Sequence, residues 1–236
     1  MVRSPVDLVR YGKRVLRSAS GRDHLVRPDV AARKKRLGND GACWVVVSEL
    51  LDSQSVVYSV GIGDDISFDL ALMDCCGLGV HAFDPTPRSL RWLGKQALPP
   101  RFEAHPWGLA AYDGTAQFSA PRQAEHVSYT PATTTTAAGA VELPVFRLET
   151  IMAKLGHSRV DLLKMDIEGG EYDVIAGLLR VRPAIPQLLI EFHHRFPEIG
   201  LRPTLIAIRE LRNAGYGILD VSPSGEEFGF CLRETR

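Results

Sequence analysis

The sequence predicts an α/β fold, and three observations in a row predict it. "SVVYSVGIGDD" (55–65) is a β-branched and aromatic run that ends in a glycine turn. Helical spacing takes over in "ISFDLALMDCCG" (66–77), with Phe68, Ala71, Leu72 and Cys75 on one side and Gly77 as a C-terminal cap. A second buried-type run, "GVHAFDP" (79–85), follows at once. Apolar runs of this composition fit parallel strands covered on both faces. A helix over "PRSLRWLGKQA" (87–97), opening on Pro87, extends the pattern to β-α-β-α, a Rossmann-like start.

The other elements follow in chain order. "SPVD" (4–7) has the form of a capping box with Pro at the first helical position, opening a short amphipathic segment that ends near Gly21. "CWVVVSELL" (43–51) fits either strand or helix, with the helix favoured for its second half. "FEAHPWGLAAYDG" and "TAQFSAP" (102–121) read as a third strand, a turn at Asp113-Gly114 and a hairpin return. Residues 122–140 carry a Thr tract without periodicity, which predicts a long flexible loop, either a lid or a disordered insertion. "VELPVFRLETIMAKLG" (141–156) gives a strand and a short helix. Two further buried strands, "VDLLKMD" (160–166) and "QLLIEFHH" (187–194), enclose the helix "EYDVIAGLL". "TLIAIRELRNAG" (204–215) is amphipathic, and "YGILDVS" with "EFGFCLR" forms a closing antiparallel pair.

Composition narrows the class. Hydrophobic residues make up 45% and charged residues 24% of 236, the balance of a soluble globular protein. No run approaches the ~18 apolar residues of a membrane span, no secretory core opens the chain, and the expected compartment is the cytoplasm. Cys43, Cys75, Cys76 and Cys231 show neither zinc spacing nor a disulfide framework. Residues 1–36 hold eleven Lys/Arg against three Asp, a balance of +8, and the remainder carries −8. The division expected is a basic arm or helical extension over 1–40 and one domain over 41–236. A solvated arm folding back on the acidic body is the plain expectation for it; a phosphate-bearing substrate, nucleic acid or an anionic membrane surface are the others.

Three stretches carry chemistry. In "VGIGDD" (60–65), Gly61 and Gly63 stand where a strand turns into a helix, so the backbone can approach a ligand without a Cβ. Ile66 occupies the third glycine position of the dinucleotide fingerprint, which argues against a pyrophosphate-binding NAD site. Asp84 ends the next strand about 20 residues on, where an acid accepts from ribose hydroxyls. "DLLKMDIEGGEYDVI" (161–175) drives an apolar strand into Asp166 and Glu168, ahead of Gly169-Gly170. Two acids and a glycine pair exceed what a helix cap requires, whereas Glu171 suits the first helical turn and needs no further role. In "LLIEFHHR", Glu191 and His193 share one strand face; next to Asp166 they form either a general base or a divalent-metal site. His24, His81, His105, His126 and His157 have no such context.

With these residues in place, the chain resembles the FkbM family of S-adenosylmethionine-dependent methyltransferases. The segments that carry the resemblance are "VYSVGIGDDISFDLAL", "VHAFDPTP", "HPWGLAAYDG", "LPVFRLETIMAKLG", "VDLLKMDIEGGEYDVI" and "LLIEFHHRF", in the family's order over 56–196. The resemblance implies a class I methyltransferase (Rossmann-like) fold, a seven-stranded mostly parallel sheet with helices on both faces. It implies that Gly61, Ile62 and Gly63 line the methionine part of the cofactor, with Asp64 or Asp65 reaching its ammonium. Asp84 would hold the ribose, Pro85 would shape the turn, and Trp107 and Gly108 would lie near the adenine. Asp166 would face the methyl-transfer centre, and Glu168 and His193 would border the substrate. Ser59 and Asp65 depart from the family's usual acid and glycine.

The function expected is O-methylation of a hydroxyl on a small molecule or sugar, with Asp166 or His193 as base. A magnesium-type ion on Asp166, Glu168 and His193 is a further possibility. The alternatives are a nucleic-acid or protein methyltransferase using the basic arm, an NAD-dependent oxidoreductase, and a cofactor-binding pseudoenzyme. Against nucleic acid stands the lack of an N-P-P-Y type motif or an aromatic stacking cluster.

Overall fold

The computed structural model describes residues 4–119, 130–131, 141–181 and 184–233. Ser4 caps α1 (Pro5–Ala19): its hydroxyl accepts from Asp7 N at 3.1 Å, and Asp7 accepts from Ser4 N at 3.3 Å, the expected capping box. β1 (Lys35–Leu37) pairs antiparallel with β2 (Trp44–Val46). The helix expected in the second half of "CWVVVSELL" is replaced by a single 3₁₀ turn, Ser48–Leu50. Gln187 explains the replacement, because its side chain accepts from Val47 N at 2.8 Å and donates to Val47 O at 3.1 Å. Those backbone groups are thus satisfied without a helix.

The main unit runs β3 (Val56–Val60), α2 (Ser67–Cys76), β4 (Gly79–Phe83), α3 (Pro87–Leu93) and β5 (Phe102–His105). Then come β6 (Gly108–Leu109), β7 (Gly114–Ser119), β8 (Thr130–Pro131), β9 (Val141–Phe146) and α4 (Leu148–Leu155). The chain closes through β10 (Leu162–Met165), α5 (Glu171–Val181), β11 (Gln187–Glu191), α6 (Leu201–Asn213), β12 (Tyr216–Val221) and β13 (Glu227–Leu232). Seven strands form one sheet in the order β12-β13-β11-β10-β3-β4-β5, parallel except where β13 runs against its two neighbours. The hairpin expected after Asp113-Gly114 forms differently: β7 pairs antiparallel with β9 in a second sheet, β6-β9-β7-β8. The predicted Thr-rich loop lies outside the described residues apart from Thr130–Pro131.

The central strands are buried on both faces. Tyr58, Leu163 and Leu188 enter one core cluster, while Val57, Leu162 and Leu189, one residue earlier or later on the same strands, enter the other. Each such side chain contributes ~1.5–3 kcal/mol of burial, which holds the strand ends in register. Register places Val60 beside Met165 and beside Phe83, so the chain segments that follow β3, β10 and β4 emerge together.

The arm crosses the edge strand β12. Asp29 N and Val30 N donate to Ile218 O at 2.8 and 3.1 Å, and Ile218 N returns a bond to Asp29 Oδ1 at 2.7 Å. The arm meets the body through acids and bases alike: Asp23 binds Arg195 and Asp29 binds Arg212, each at 2.8 Å, while Arg14 donates to Ser222 O at 3.2 Å and Lys34 to Leu219 O. Lys34, 4.0 Å from Asp220, and Arg33, 3.8 Å from Glu49, add looser pairs of the expected sign.

Candidate active site

The first strand of the unit, β3, leaves its sheet neighbours β10 and β4 on opposite sides, so a crevice opens at the carboxyl ends of β3 and β10. That is the place where open α/β sheets take ligands. Gly61 turns the chain there with φ +78°, and a Cβ at this position would lie 1.8 Å from Asp166 O. Only glycine tolerates both the left-handed backbone and the approach of the neighbouring strand. Lys164, buried in β10, donates to Gly61 O at 2.7 Å and braces the turn from below. A lysine inside the apolar run "LLKM" was the sequence signal for that brace.

Asp84 is buried and fully engaged. One carboxylate oxygen accepts from Ile62 N and Gly63 N at 3.1 Å each, the other from Thr86 N at 2.8 Å and Thr86 Oγ1 at 2.6 Å. Its direct work is to tie the glycine turn to the end of β4. A ribose diol would take the place of part of this set. Asp65 accepts from Ser67 N, the first amide of α2, at 2.7 Å, and Asp64 lies 4.0 Å from Arg88.

The opposite wall is an acidic corner built around one imidazole. His193 Nε2 lies 3.5 Å from Asp166 Oδ1 and 3.5 Å from Glu168 Oε2, and Nδ1 lies 3.3 Å from Glu171 Oε1. Glu171 is completely buried; it also accepts from His193 N and Gly169 N at 2.9 Å each. Glu171 therefore does more than open α5, contrary to the sequence reading. It orients the ring and closes the turn that carries Glu168. That turn holds Glu168 at φ +53°, a left-handed conformation found at no other non-glycine among the described residues. Such a backbone costs about 1 kcal/mol or more and is a signature of functional sites.

Protonation follows from these contacts. Burial opposes charge on His193, but the bond to Glu171 and the nearby Asp166 and Glu168 outweigh it and push its pKa up to about 10. The ring is an imidazolium at neutral pH. Burial raises the Asp166 carboxyl above its ordinary range, against the pull of Lys164 and His193. The Asp166 side chain is 32% exposed, with Oδ1 buried against the His193 ring. Glu191 is held well above the usual carboxylate range by burial and by Asp166 and Glu227.

A cavity of about 220 Å³ joins the two walls. Among the residues singled out from sequence, Gly61, Gly63, Asp84, Pro85, Gly108, Asp166 and Glu168 line it. His193 stands directly behind Asp166 and Glu168. Ile62 turns into the core, and Trp107 packs its ring 5.1 Å from His105 and 5.8 Å from Phe146. Sequence reasoning passed over Glu171 and Lys164, whose importance lies in what they touch.

Sheet order, glycine turn and acidic corner together define a class I methyltransferase fold. The Methyltransferase FkbM domain family model matches residues 55–218, and the chain belongs to that family. It is 28% identical over 152 residues to the probable methyltransferase-like protein 24 of Rattus norvegicus, covering 63% of this chain and 36% of that protein. The Homo sapiens counterpart is 27% identical, covering 63% and 35%. The chain thus spans about a third of the length of these relatives. Among solved structures, Methyltransferase FkbM from Methylobacillus flagellatus KT superposes with a TM-score of 0.48 at 16% identity, covering 77% of this chain and 44% of that one. Aeropyrum pernix fibrillarin, in complex with natively bound S-adenosyl-L-methionine, gives 0.40 at 13% identity, covering 77% and 66%.

Proposed function

We propose that this chain transfers a methyl group from S-adenosylmethionine to a hydroxyl of a small molecule or sugar, with Asp166 as the general base. The observation that carries this reading is Asp166 on the wall of the cavity, its carboxylate 32% exposed while Oδ1 is turned inward to His193 Nε2 at 3.5 Å. The cavity's other side fits the donor, since Gly61 and Gly63 present backbone without side chains, and Asp84 and Pro85 complete that wall. Bound there, the cofactor supplies a methyl group on a sulfonium for in-line displacement by the acceptor oxygen.

The chain's own residues divide the remaining work. Asp166 takes the hydroxyl proton, and a carboxylate of raised pKa is a stronger base than an ordinary one. His193, already charged, is a positioning residue that holds Asp166 and Glu168 from behind, and Glu171 aims its ring. A cytoplasmic setting belongs to the same reading. No helix among the described residues is long and apolar enough to cross a membrane.

The test is a screen of hydroxyl acceptors with labelled cofactor, followed by Asp166→Asn. Turnover is expected to fall ~10²–10⁴-fold while cofactor affinity by calorimetry stays within a few-fold. Full activity in both Asp166→Ala and His193→Ala would sink the assignment. Magnesium is the second reading, because Asp166, Glu191 and His193 offer ligand atoms within 4.8 Å of one another. A cation and the imidazolium proton would compete for the same ring nitrogen, and turnover that survives EDTA removes this reading.

A further inference from the structure

Helix α1 is packed inside out. Its charged residues Asp7 and Arg14, two turns apart on one face, are the buried ones, at 4% and 3% exposure. Arg14 Nε donates to His24 O at 3.0 Å and Nη1 to Ser222 O at 3.2 Å, while Asp7 lies 3.5 Å from Arg36. The opposite face presents Leu8, Val9 and Leu16 to solvent at 61%, 58% and 74% exposure. A surface helix normally turns such a stripe toward the core.

Charge on the outward side has one sign. Arg10, Lys13 and Arg17 border the apolar stripe, and the only acid of the helix, Asp7, is turned inward. A helix with an apolar face and a basic fringe has the make-up of one that lies in a membrane interface. We propose that α1 docks the chain on an anionic lipid bilayer, Leu8, Val9 and Leu16 entering the acyl boundary and Arg10, Lys13 and Arg17 meeting lipid phosphates. A second copy of the chain is a poorer occupant. Fifteen residues make a helix roughly 22 Å long, whose single face falls short of the ~800 Å² per partner of a standard interface. Two such faces would also bring like charges together. Beyond the helix, the same arm holds Asp23 on Arg195, two residues past His193.

The experiment is flotation of the purified chain with phosphatidylcholine vesicles, with and without phosphatidylserine. Binding is expected only with phosphatidylserine and is weakened by salt. Charge reversal at Arg10, Lys13 and Arg17 to Glu lowers the partition coefficient at least about a hundredfold. Leu8→Ser with Leu16→Ser lowers it at least about tenfold. Leu8 and Leu16 lie away from the buried face, whereas Arg10 lines a crevice with Asp7 and Arg36, so an unchanged melting temperature is required of each variant to show that its loss is one of binding. Absence of binding to phosphatidylserine vesicles, or variants that bind like the wild type, overturns the proposal. So does concentration-dependent dimerisation abolished by the Leu8/Leu16 change while vesicles are ignored.

Discussion

Glu171→Ala is the sharpest probe of the acidic corner. The side chain is fully buried and accepts from two backbone amides, Gly169 N and His193 N, each at 2.9 Å. Alanine leaves both donors without a partner, and each orphaned buried donor costs about 1–3 kcal/mol. The buried imidazolium loses its nearest counter-charge as well, so the expected destabilisation is about 3–5 kcal/mol. Urea denaturation at neutral pH measures it as a shifted midpoint with an unchanged slope. Glu171→Gln keeps one acceptor oxygen and the shape, and is expected to lose about half as much. In the same variant the NMR titration of His193 moves down from about 10 toward its ordinary 6.5. The folded pKa lies above the unfolded one, so the stability contributed by the charged ring is complete below pH 6.5 and lost as pH rises through about 10. A Glu171→Ala protein within about 1 kcal/mol of wild type, with His193 still titrating where it did, refutes the argument.

Other perturbations separate the remaining parts. Gly61→Ala, which forces a Cβ to 1.8 Å from Asp166 O at φ +78°, should cost more than about 3 kcal/mol or abolish soluble expression. Gly156→Ala, at φ +71° with open space around it, should cost only about 1–2 kcal/mol in the same denaturation assay. Asp84→Asn exchanges an acceptor oxygen for a donor against four existing donors, and should lose about 2 kcal/mol or more of stability together with cofactor affinity by calorimetry. His24, buried against Phe228, has its pKa pushed down from 6.5 to about 4, chiefly by burial. Its contribution is full above pH 6.5 and drains as pH falls to about 4; thermal melts of His24→Phe across that window should show a flatter profile.

The strand–turn–helix order was legible because it depends on local periodicity and on glycine. "SVVYSVGIGDD" and "VDLLKMD" could belong only to buried strands, and both end at the crevice. The second half of "CWVVVSELL" misled because a distant side chain, Gln187, satisfies the backbone that a helix would have used. The return after Asp113-Gly114 misled for a related reason. Pairing partners are chosen by register and burial across long separations, and β7 found β9.

By itself, the sequence determined the class of fold, the glycine turn, and Asp84, Asp166, Glu168 and His193 as the residues to watch. Spacing along one strand or turn is enough for that. Only the tertiary structure decided what each group does, because protonation and orientation depend on neighbours far away in the chain. Glu171 reads as a helix opener until His193 folds against it, and His193, one of two candidate bases in the sequence, stands among three carboxylates that push its pKa up to about 10. The direction in which α1 faces was likewise settled in three dimensions, where Arg14 and Asp7 found partners and the leucines did not.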